Sequence, residues 1–151
     1  MSGGTGHRII RVLLAADGHL MRRTLGDLLA LEGDLRVVAE AESGSQALAM
    51  ARAHRPDVAV LDIGDTGRPG PDGVQVAAAL RDDLPDCRTV IITESGRSGR
   101  LEQCLSAGAR GVASRSTPAE QLVAAIRIVH SGGRYVHPEL VVEAIVSESA
   151  T

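Results

Sequence analysis

The chain has 151 residues, of which 44% are hydrophobic and 23% are charged, and its formal net charge is −3. This length suits one domain with a substantial core, and the mildly acidic balance argues against nucleic-acid binding by this segment. The apolar runs are too short to cross a membrane, residues 1–7 lack the apolar centre of a signal peptide, and the two cysteines have no metal-binding spacing. We therefore expect a cytoplasmic protein.

Five apolar runs alternate with five helical patterns along the chain. Strands are predicted at residues 8–15, 35–41, 57–62, 88–93 and 110–114. Helices are predicted before Gly33, from Ser43 to about His54, from Asp72 onward, before Gly108, and from Thr117 to His130. Three of these starts carry capping signals: the pairs Ser43/Gln46 and Thr117/Glu120 fit capping boxes, with Pro118 at the first helical position, and Asp72 fits a cap.

The alternation of strands and helices is typical of a parallel sheet that is covered by helices on both faces. We therefore predict an α/β fold with a doubly wound, five-stranded parallel sheet. We assign residues 1–7 to a disordered N-terminus and residues 8–131 to the folded domain. Residues 132–151 form a C-terminal extension, with a short helix from Pro138 and the start of a linker.

Polar residues follow four of the predicted strands at the point where each strand ends: Asp17, Asp62, Thr93 and Arg115. In a doubly wound sheet the carboxyl ends of the strands share one edge, where ligands bind. A carboxylate there can act as a nucleophile and carry an acyl phosphate, and two carboxylates with a backbone carbonyl suit Mg²⁺. Thr93 and Arg115 can contact phosphoryl oxygens. The pattern indicates phosphoryl transfer to Asp62, unless that aspartate only caps a loop or helix.

Six segments carry a resemblance to a known family: IRVLLAAD, HRPDVAVLDI, PGPDG, VIIT, AGARGVASR and residues 118–140. From residue 8 to about residue 146 the chain resembles the receiver domain of response regulators of the NarL/FixJ (LuxR-type) family. The resemblance implies a flavodoxin-like (βα)5 fold. It implies that Asp62 is the phosphoacceptor, that Asp17, Asp62 and the Gly64 carbonyl bind Mg²⁺, and that Thr93 is the switch threonine.

The same resemblance implies partners. We expect a sensor histidine kinase as phosphoryl donor, and control of transcription through a DNA-binding domain that is not present in this chain. We also expect a homodimer. The fifth predicted helix has a wide apolar arc that either covers the sheet or contributes to a dimer interface; it contains Leu122, Val123, Ile126 and Val129.

The expected site departs from the family pattern. Ala16 stands where the family has a second acid, Arg115 replaces the family's lysine, and Glu94 replaces a small residue after the switch threonine. Val112 takes the place of the aromatic residue in the fifth strand. The loop after Asp62 is about three residues longer by alignment, so that Asp65 is an alternative phosphoacceptor or a substitute for the missing ligand.

These departures cluster at the site and favour an atypical receiver, which leaves two alternatives open. One is a phosphorylation-independent pseudo-receiver that acts by dimerisation or ligand binding. The other is a haloacid-dehalogenase-like phosphatase, whose D-x-D-x-T signature differs from the D-x-x-D-T spacing of Asp62, Asp65 and Thr66. In that family the nucleophile also lies on the first strand, whereas Asp62 follows the third.

Overall fold

The structure, a computed structural model, describes residues 8–64, 69–94 and 100–149. The predicted disordered N-terminus, residues 1–7, lies outside these ranges, as does Asp65. Inside them, strands and helices alternate in the order that the sequence predicts.

Six parallel strands form one sheet within the described residues. They are β1 (Ile10–Ala16), β2 (Leu35–Ala41), β3 (Val58–Asp62), β4 (Arg88–Thr93), β5 (Gly111–Ser114) and β6 (Tyr135–Val136). Their order across the sheet is β2-β1-β3-β4-β5-β6. The chain therefore steps to one side of β1 to form β2 and to the other side to form β3, and the point between β1 and β3 is where such sheets bind ligands.

The sequence predicts five strands, one fewer than the sheet contains in the described residues. The sixth, β6, has only two residues, which is too few to leave a periodic pattern in the sequence. It forms because β5 offers a free edge: the Tyr135 amide donates to the Arg110 carbonyl at 3.0 Å, and the His137 amide donates to the Val112 carbonyl at 3.0 Å. The parallel, doubly wound architecture is as predicted.

In the described part of the chain, six helices cover the sheet on both faces. They are α1 (His19–Ala30), α2 (Gly44–His54), α3 (Gly73–Asp83), α4 (Arg100–Ser106), α5 (Ala119–His130) and α6 (Pro138–Ser149). Alternate residues of β1 point to opposite faces, as the pleat requires. Leu13 and Ala15 pack in a core with residues of α2, α3 and α4, whereas Val12 and Leu14 pack in a second core with residues of α1 and α5.

Two of the predicted caps stabilise helix starts. Asp72 accepts a hydrogen bond from the Gln75 amide at 2.9 Å while the Gln75 side chain accepts one from the Asp72 amide, which completes a capping box at α3. At α2 the Ser43 hydroxyl accepts from the Gln46 amide at 3.1 Å. The second half of that box differs from expectation, because the Gln46 side chain accepts from the Glu42 amide instead.

The predicted capping box at Thr117 is wrong. The Thr117 hydroxyl accepts a hydrogen bond from the Ser114 amide at 3.0 Å, so it serves the turn after β5 rather than the start of α5. The helix begins one residue later, with Pro118 as its N-cap residue and no side-chain cap. The Pro118 carbonyl accepts from the Leu122 amide at 3.0 Å, the first intrahelical hydrogen bond.

Helix α6 lies beside α4 and is attached to the core through Leu140, which is 4% exposed. The next turn exposes apolar side chains to solvent, among them Val142 and Ile145. None of the helices in the described part of the chain combines the length and apolarity that crossing a membrane would need.

Candidate functional site

The four predicted site residues lie at the carboxyl edge of the sheet. Asp62 is the last residue of β3 and is aligned with Ala16 of β1, and the Asp17 amide lies 3.4 Å from the Asp62 carbonyl oxygen. Thr93 is the last residue of β4 and is aligned with Ser114, the last residue of β5. Arg115 follows directly and reaches back to Asp62, so the structure brings the predicted constellation together.

The Asp62 carboxylate is the chemical centre of this edge. Its side chain is only 4% exposed, and the Arg115 Nε donates a hydrogen bond to its Oδ1 at 3.2 Å. Burial raises the pKa of Asp62, Arg115 opposes that rise through its charge and its hydrogen bond, and the carboxylates of Asp17 and Glu94 add to it. A buried carboxylate whose pKa is shifted by a nearby cation and two further acids is a candidate functional site.

Arg115 joins two carboxylates. Its Nη1 donates to the Glu94 Oε1 at 2.8 Å while its Nε contacts Asp62. The pair is partly open to solvent, with the Arg115 side chain 37% exposed and the Glu94 side chain 65% exposed. The planar guanidinium can serve both acids at once, which the point charge of a lysine does less well.

The ion pair between Glu94 and Arg115 was not predicted from the sequence, where Glu94 was considered only as an obstacle to phosphate. The strand pattern could have indicated this pair. Residues that directly follow neighbouring parallel strands lie next to each other when the strands end in register, and β4 and β5 end with the aligned pair Thr93 and Ser114. Glu94 and Arg115 are the next residues of each strand.

The loop after β3 is pulled back to the sheet where α3 begins. The Gly73 amide donates to the Ile63 carbonyl at 3.0 Å, and a Cβ at Gly73 would lie 3.2 Å from that oxygen. Glycine permits this close approach because it has no side chain. This contact and the Asp72 capping box hold the start of α3 next to Ile63, the residue that follows Asp62.

A hydroxyl network holds the turn that carries Arg115. The Ser114 Oγ lies 2.8 Å from the Ser116 Oγ and 3.3 Å from the Thr117 Oγ1. The Ser116 hydroxyl donates in turn to the Glu139 carboxylate in the first turn of α6 at 3.2 Å. The position of Arg115 at the site is therefore linked to α6 through short polar contacts.

The site offers fewer acidic ligands for a metal ion than the family pattern, because Ala16 stands where the family has a second acid. Within the described ranges, His, Cys, Asp and Glu side chains form no group of three that could hold a metal ion. Two carboxylates, Asp17 and Asp62, do lie close enough for the charge of one to raise the pKa of the other. Together with the Gly64 carbonyl they are the predicted oxygen ligands for Mg²⁺, an ion that needs few protein ligands because it keeps several of its waters.

The sequence model of the response regulator receiver domain family matches residues 12–127. The chain belongs to the response regulator receiver family. The transcriptional regulatory protein DesR of Bacillus subtilis is 34% identical over 141 residues, which cover 93% of this chain and 68% of DesR. The probable transcriptional regulatory protein NarL of Mycobacterium tuberculosis is 36% identical over 132 residues, covering 87% of this chain and 60% of that protein. The receiver thus spans about two thirds or less of these relatives.

Solved structures agree with this assignment. A LuxR-family two-component response regulator from Aurantimonas superposes with a TM-score of 0.83 at 28% identity, over 95% of this chain and 99% of that one. The receiver domain of the Mycobacterium tuberculosis NarL superposes with a TM-score of 0.76 at 34% identity, over 83% of this chain and 98% of that one. The chain is the receiver domain of a LuxR-family two-component response regulator. The family that matches is the receiver family and not that of the haloacid-dehalogenase-like phosphatases.

Proposed function

We propose that this receiver accepts a phosphoryl group on Asp62 from a sensor histidine kinase and controls transcription through a DNA-binding domain outside this chain. The observation that carries the proposal is the contact between Arg115 and the buried Asp62 carboxylate, at the edge where β1, β3, β4 and β5 end. The names of the relatives, which are transcriptional regulators, support the second part.

In the proposed reaction an oxygen of the Asp62 carboxylate attacks the phosphorus of the donor. The bond between phosphorus and the donor's leaving group breaks, the leaving group departs with its electron pair, and an acyl phosphate remains on Asp62. Arg115 stands beside the nucleophile and can pass its hydrogen bonds to the new phosphoryl oxygens. Thr93, 6% exposed at the end of the adjacent strand, is the proposed hydroxyl that follows the phosphoryl group.

We assign the metal ligands to Asp17, Asp62 and the Gly64 carbonyl, with Mg²⁺ as the ion. When bound, Mg²⁺ would neutralise the negative charge that repels an incoming phosphoryl group. Burial is the main cause of the raised pKa of Asp62, and the charges of Asp17 and Glu94 add to it, so a cation beside these acids would be favourable. Ala16 leaves the site one carboxylate short of the family pattern, so binding of the ion should be weak.

A homodimer remains part of the proposal, but on other residues than the sequence indicated. Four apolar residues of α5 pack in the core and cover the sheet: Leu122, Val123, Ile126 and Val129. Leu31, directly after α1, and Ile128 of α5 are exposed, at 78% and 37% of their area. These side chains are among the exposed apolar residues that a second copy could cover.

The second candidate is a phosphorylation-independent receiver. It is favoured by the contacts of Arg115, since the guanidinium that should receive a phosphoryl group is already engaged by Asp62 and Glu94. In that case the hydroxyl network toward Glu139 would hold one conformation permanently, and the domain would act through binding or dimerisation.

Intact mass after incubation with acetyl phosphate and Mg²⁺ tests the proposal, for the wild type and for Asp62→Asn. We expect the wild type to gain one phosphoryl group and the variant to gain none. A gain that persists in the variant would move the acceptor elsewhere, with Asp65 as the first candidate. No gain in either protein would contradict phosphorylation and leave the phosphorylation-independent receiver.

A further inference from the structure

Arginine residues stand where three neighbouring strands begin, at the edge of the sheet opposite Asp62. Arg88 is the first residue of β4, Arg110 directly precedes β5, and Arg134 directly precedes β6. Backbone hydrogen bonds place them side by side: the Arg110 amide donates to the Thr89 carbonyl at 3.0 Å, and the Tyr135 amide donates to the Arg110 carbonyl at 3.0 Å. The parallel register thus gathers cations that are far apart in the chain.

A fourth arginine of this group, Arg81, comes from α3. The Nη1 of Arg81 donates to the Ser106 carbonyl at 2.8 Å, which holds this side chain across the turn that follows α4. Gly108 makes room for it, because a Cβ at that position would lie 2.8 Å from the Arg81 Cδ. Gly108 has a φ of +93°, which side-chain-bearing residues rarely adopt. The stem of Arg81 is therefore held in place in the folded chain, which lowers the entropic cost of binding.

The four arginines line one cavity of about 380 Å³, the arginine pocket. The described residues that line it include no acid. Arg81 contacts the Asp82 carboxylate outside the pocket, with its Nε at 3.4 Å from Oδ1. Within the described residues, Arg88, Arg110 and Arg134 form no ion pair.

Cys87 also lines the arginine pocket and supplies no counter-charge. Burial raises the pKa of its thiol to about 12, with the charge of Asp57 adding to the rise, so this group is neutral at physiological pH. Asp57 is thus an acid near the pocket, but four arginines line it, and the pocket concentrates positive charge in a chain whose net charge is −3. Like charges gathered in this way repel each other, and a bound anion would relieve the repulsion.

We propose that the arginine pocket binds a small anion that carries two or more phosphate groups. Guanidinium groups present paired donors that match phosphate oxygens, and several of them arranged around a recess suit a ligand with more than one such group. The volume lies within the range of small-molecule sites, about 300 to 1,000 Å³. A recess of this kind fits a small ligand better than the convex backbone of a nucleic-acid duplex.

Calorimetric titration with inorganic pyrophosphate in magnesium-free buffer tests this site, together with thermal unfolding at matched ionic strength in sodium chloride. We expect the wild type to bind pyrophosphate and to unfold about 5 °C higher at about 100 times the dissociation constant. Each of the substitutions Arg110→Gln and Arg134→Gln should weaken binding about tenfold, the usual loss for a charged hydrogen-bond partner. Arg110→Lys should bind with intermediate affinity because it keeps the charge but not the paired donors.

Arg23→Gln is the matched control, since it removes an exposed arginine from α1 beside a different cavity that also contains Asp27 and Glu40. Pyrophosphate should bind this variant as well as it binds the wild type. Equal weakening in the control would show that the anion responds only to net charge, and would overturn the proposal. Absence of pyrophosphate binding would overturn it too, and binding of a double-stranded DNA fragment without pyrophosphate binding would replace it with a macromolecular surface.

Discussion

Asp62 and Glu94 share the guanidinium of Arg115. If Asp62 is the acceptor, as we propose, a phosphoryl donor would have to take over hydrogen bonds that Arg115 gives to these two carboxylates. Both partners of the outer ion pair are substantially exposed, so the pair is screened by solvent and its contribution is modest. We therefore expect Glu94 to slow the proposed phosphorylation rather than to prevent it.

Replacing Glu94 by glutamine should speed phosphorylation of Asp62 by acetyl phosphate. The substitution removes a negative charge from the entry to the site and frees one side of Arg115, so we expect a gain of about twofold to fivefold in rate. The gain should shrink at high salt, because surface charges are then screened. Intact-mass time courses measure the rate.

Glu102→Gln, which removes an acid from the first turn of α4, is the control for net charge and should leave the phosphorylation rate unchanged. A slower reaction in Glu94→Gln than in the wild type would show the opposite role, in which Glu94 orients Arg115 for the transfer.

The buried Asp62 carboxyl should also affect stability in a pH-dependent way. Its pKa is raised in the folded protein, so the folded state holds the proton more tightly than the unfolded chain does. The stabilising contribution is fully present below the unfolded pKa of about 4 and is lost as the pH rises through the folded pKa. At neutral pH the ionised carboxylate is therefore a net cost.

Asp62→Asn, which resembles the protonated acid, should be more stable than the wild type at neutral pH in magnesium-free buffer. This advantage should disappear below a pH of about 4, where the wild-type carboxyl is protonated in both states. Urea unfolding over the pH range measures the difference, and Asp27→Asn on the exposed surface of α1 should show no such trend. A destabilised Asp62→Asn at neutral pH would mean that Arg115 outweighs burial.

At the scale of elements, β6 and α6 complete the receiver at its free edge. β6 adds hydrogen bonds to Arg110 and Val112 along β5, and α6 inserts Leu140 into the core that contains Val112. Ser116 contacts Glu139 in α6, so the last helix is also connected to the turn that holds Arg115. A change at the proposed phosphorylation site would therefore have a short route to the C-terminal helix, which exposes apolar side chains.

Truncation after Ser131 should consequently destabilise the domain, although the sequence places the end of the folded unit there. Loss of the β6 hydrogen bonds and of the buried Leu140 should lower the free energy of unfolding by about 2 to 4 kcal/mol. The point variant Leu140→Ala should account for much of this loss. Urea unfolding of residues 1–131 and of the full chain measures it.

Val142→Ala is the matched control in the same helix, because Val142 is 59% exposed and its truncation should change stability by less than about 0.5 kcal/mol. If residues 1–131 are as stable as the full chain, β6 and α6 are an appendage and the sequence-based boundary is the right one.

At the scale of the whole molecule, an acidic cluster and the arginine pocket lie at opposite edges of the sheet. Asp17, Asp62 and Glu94 gather at the carboxyl edge, while the arginine pocket lies at the amino edge. Small anions should therefore prefer the arginine pocket in the absence of a divalent cation, and Mg²⁺ should prefer the opposite edge. If both proposed sites bind their ligands, this separation would let one small domain respond to two charged ligands at independent places.

The amino-acid sequence by itself determined the fold class and the carboxyl-edge constellation. Both depend on local patterns: apolar runs form strands, helical periodicity forms the covering layers, and a polar residue directly after a strand is at the sheet edge wherever that strand lies. Asp17, Asp62, Thr93 and Arg115 could be placed together for this reason. The predicted start of α5 was wrong because the Thr117 hydroxyl accepts a hydrogen bond from the Ser114 amide in the turn instead of capping the helix.

The tertiary structure alone decided which side chains meet across the sheet. The pair of Glu94 with Arg115, the row of arginines and the short β6 depend on strand order and register, which no single segment encodes. A two-residue strand forms only when a neighbour offers a free edge, and cations from separate turns become one pocket only when their strands are adjacent. Burial of Asp62, and with it the direction of its pKa, follows from the same packing.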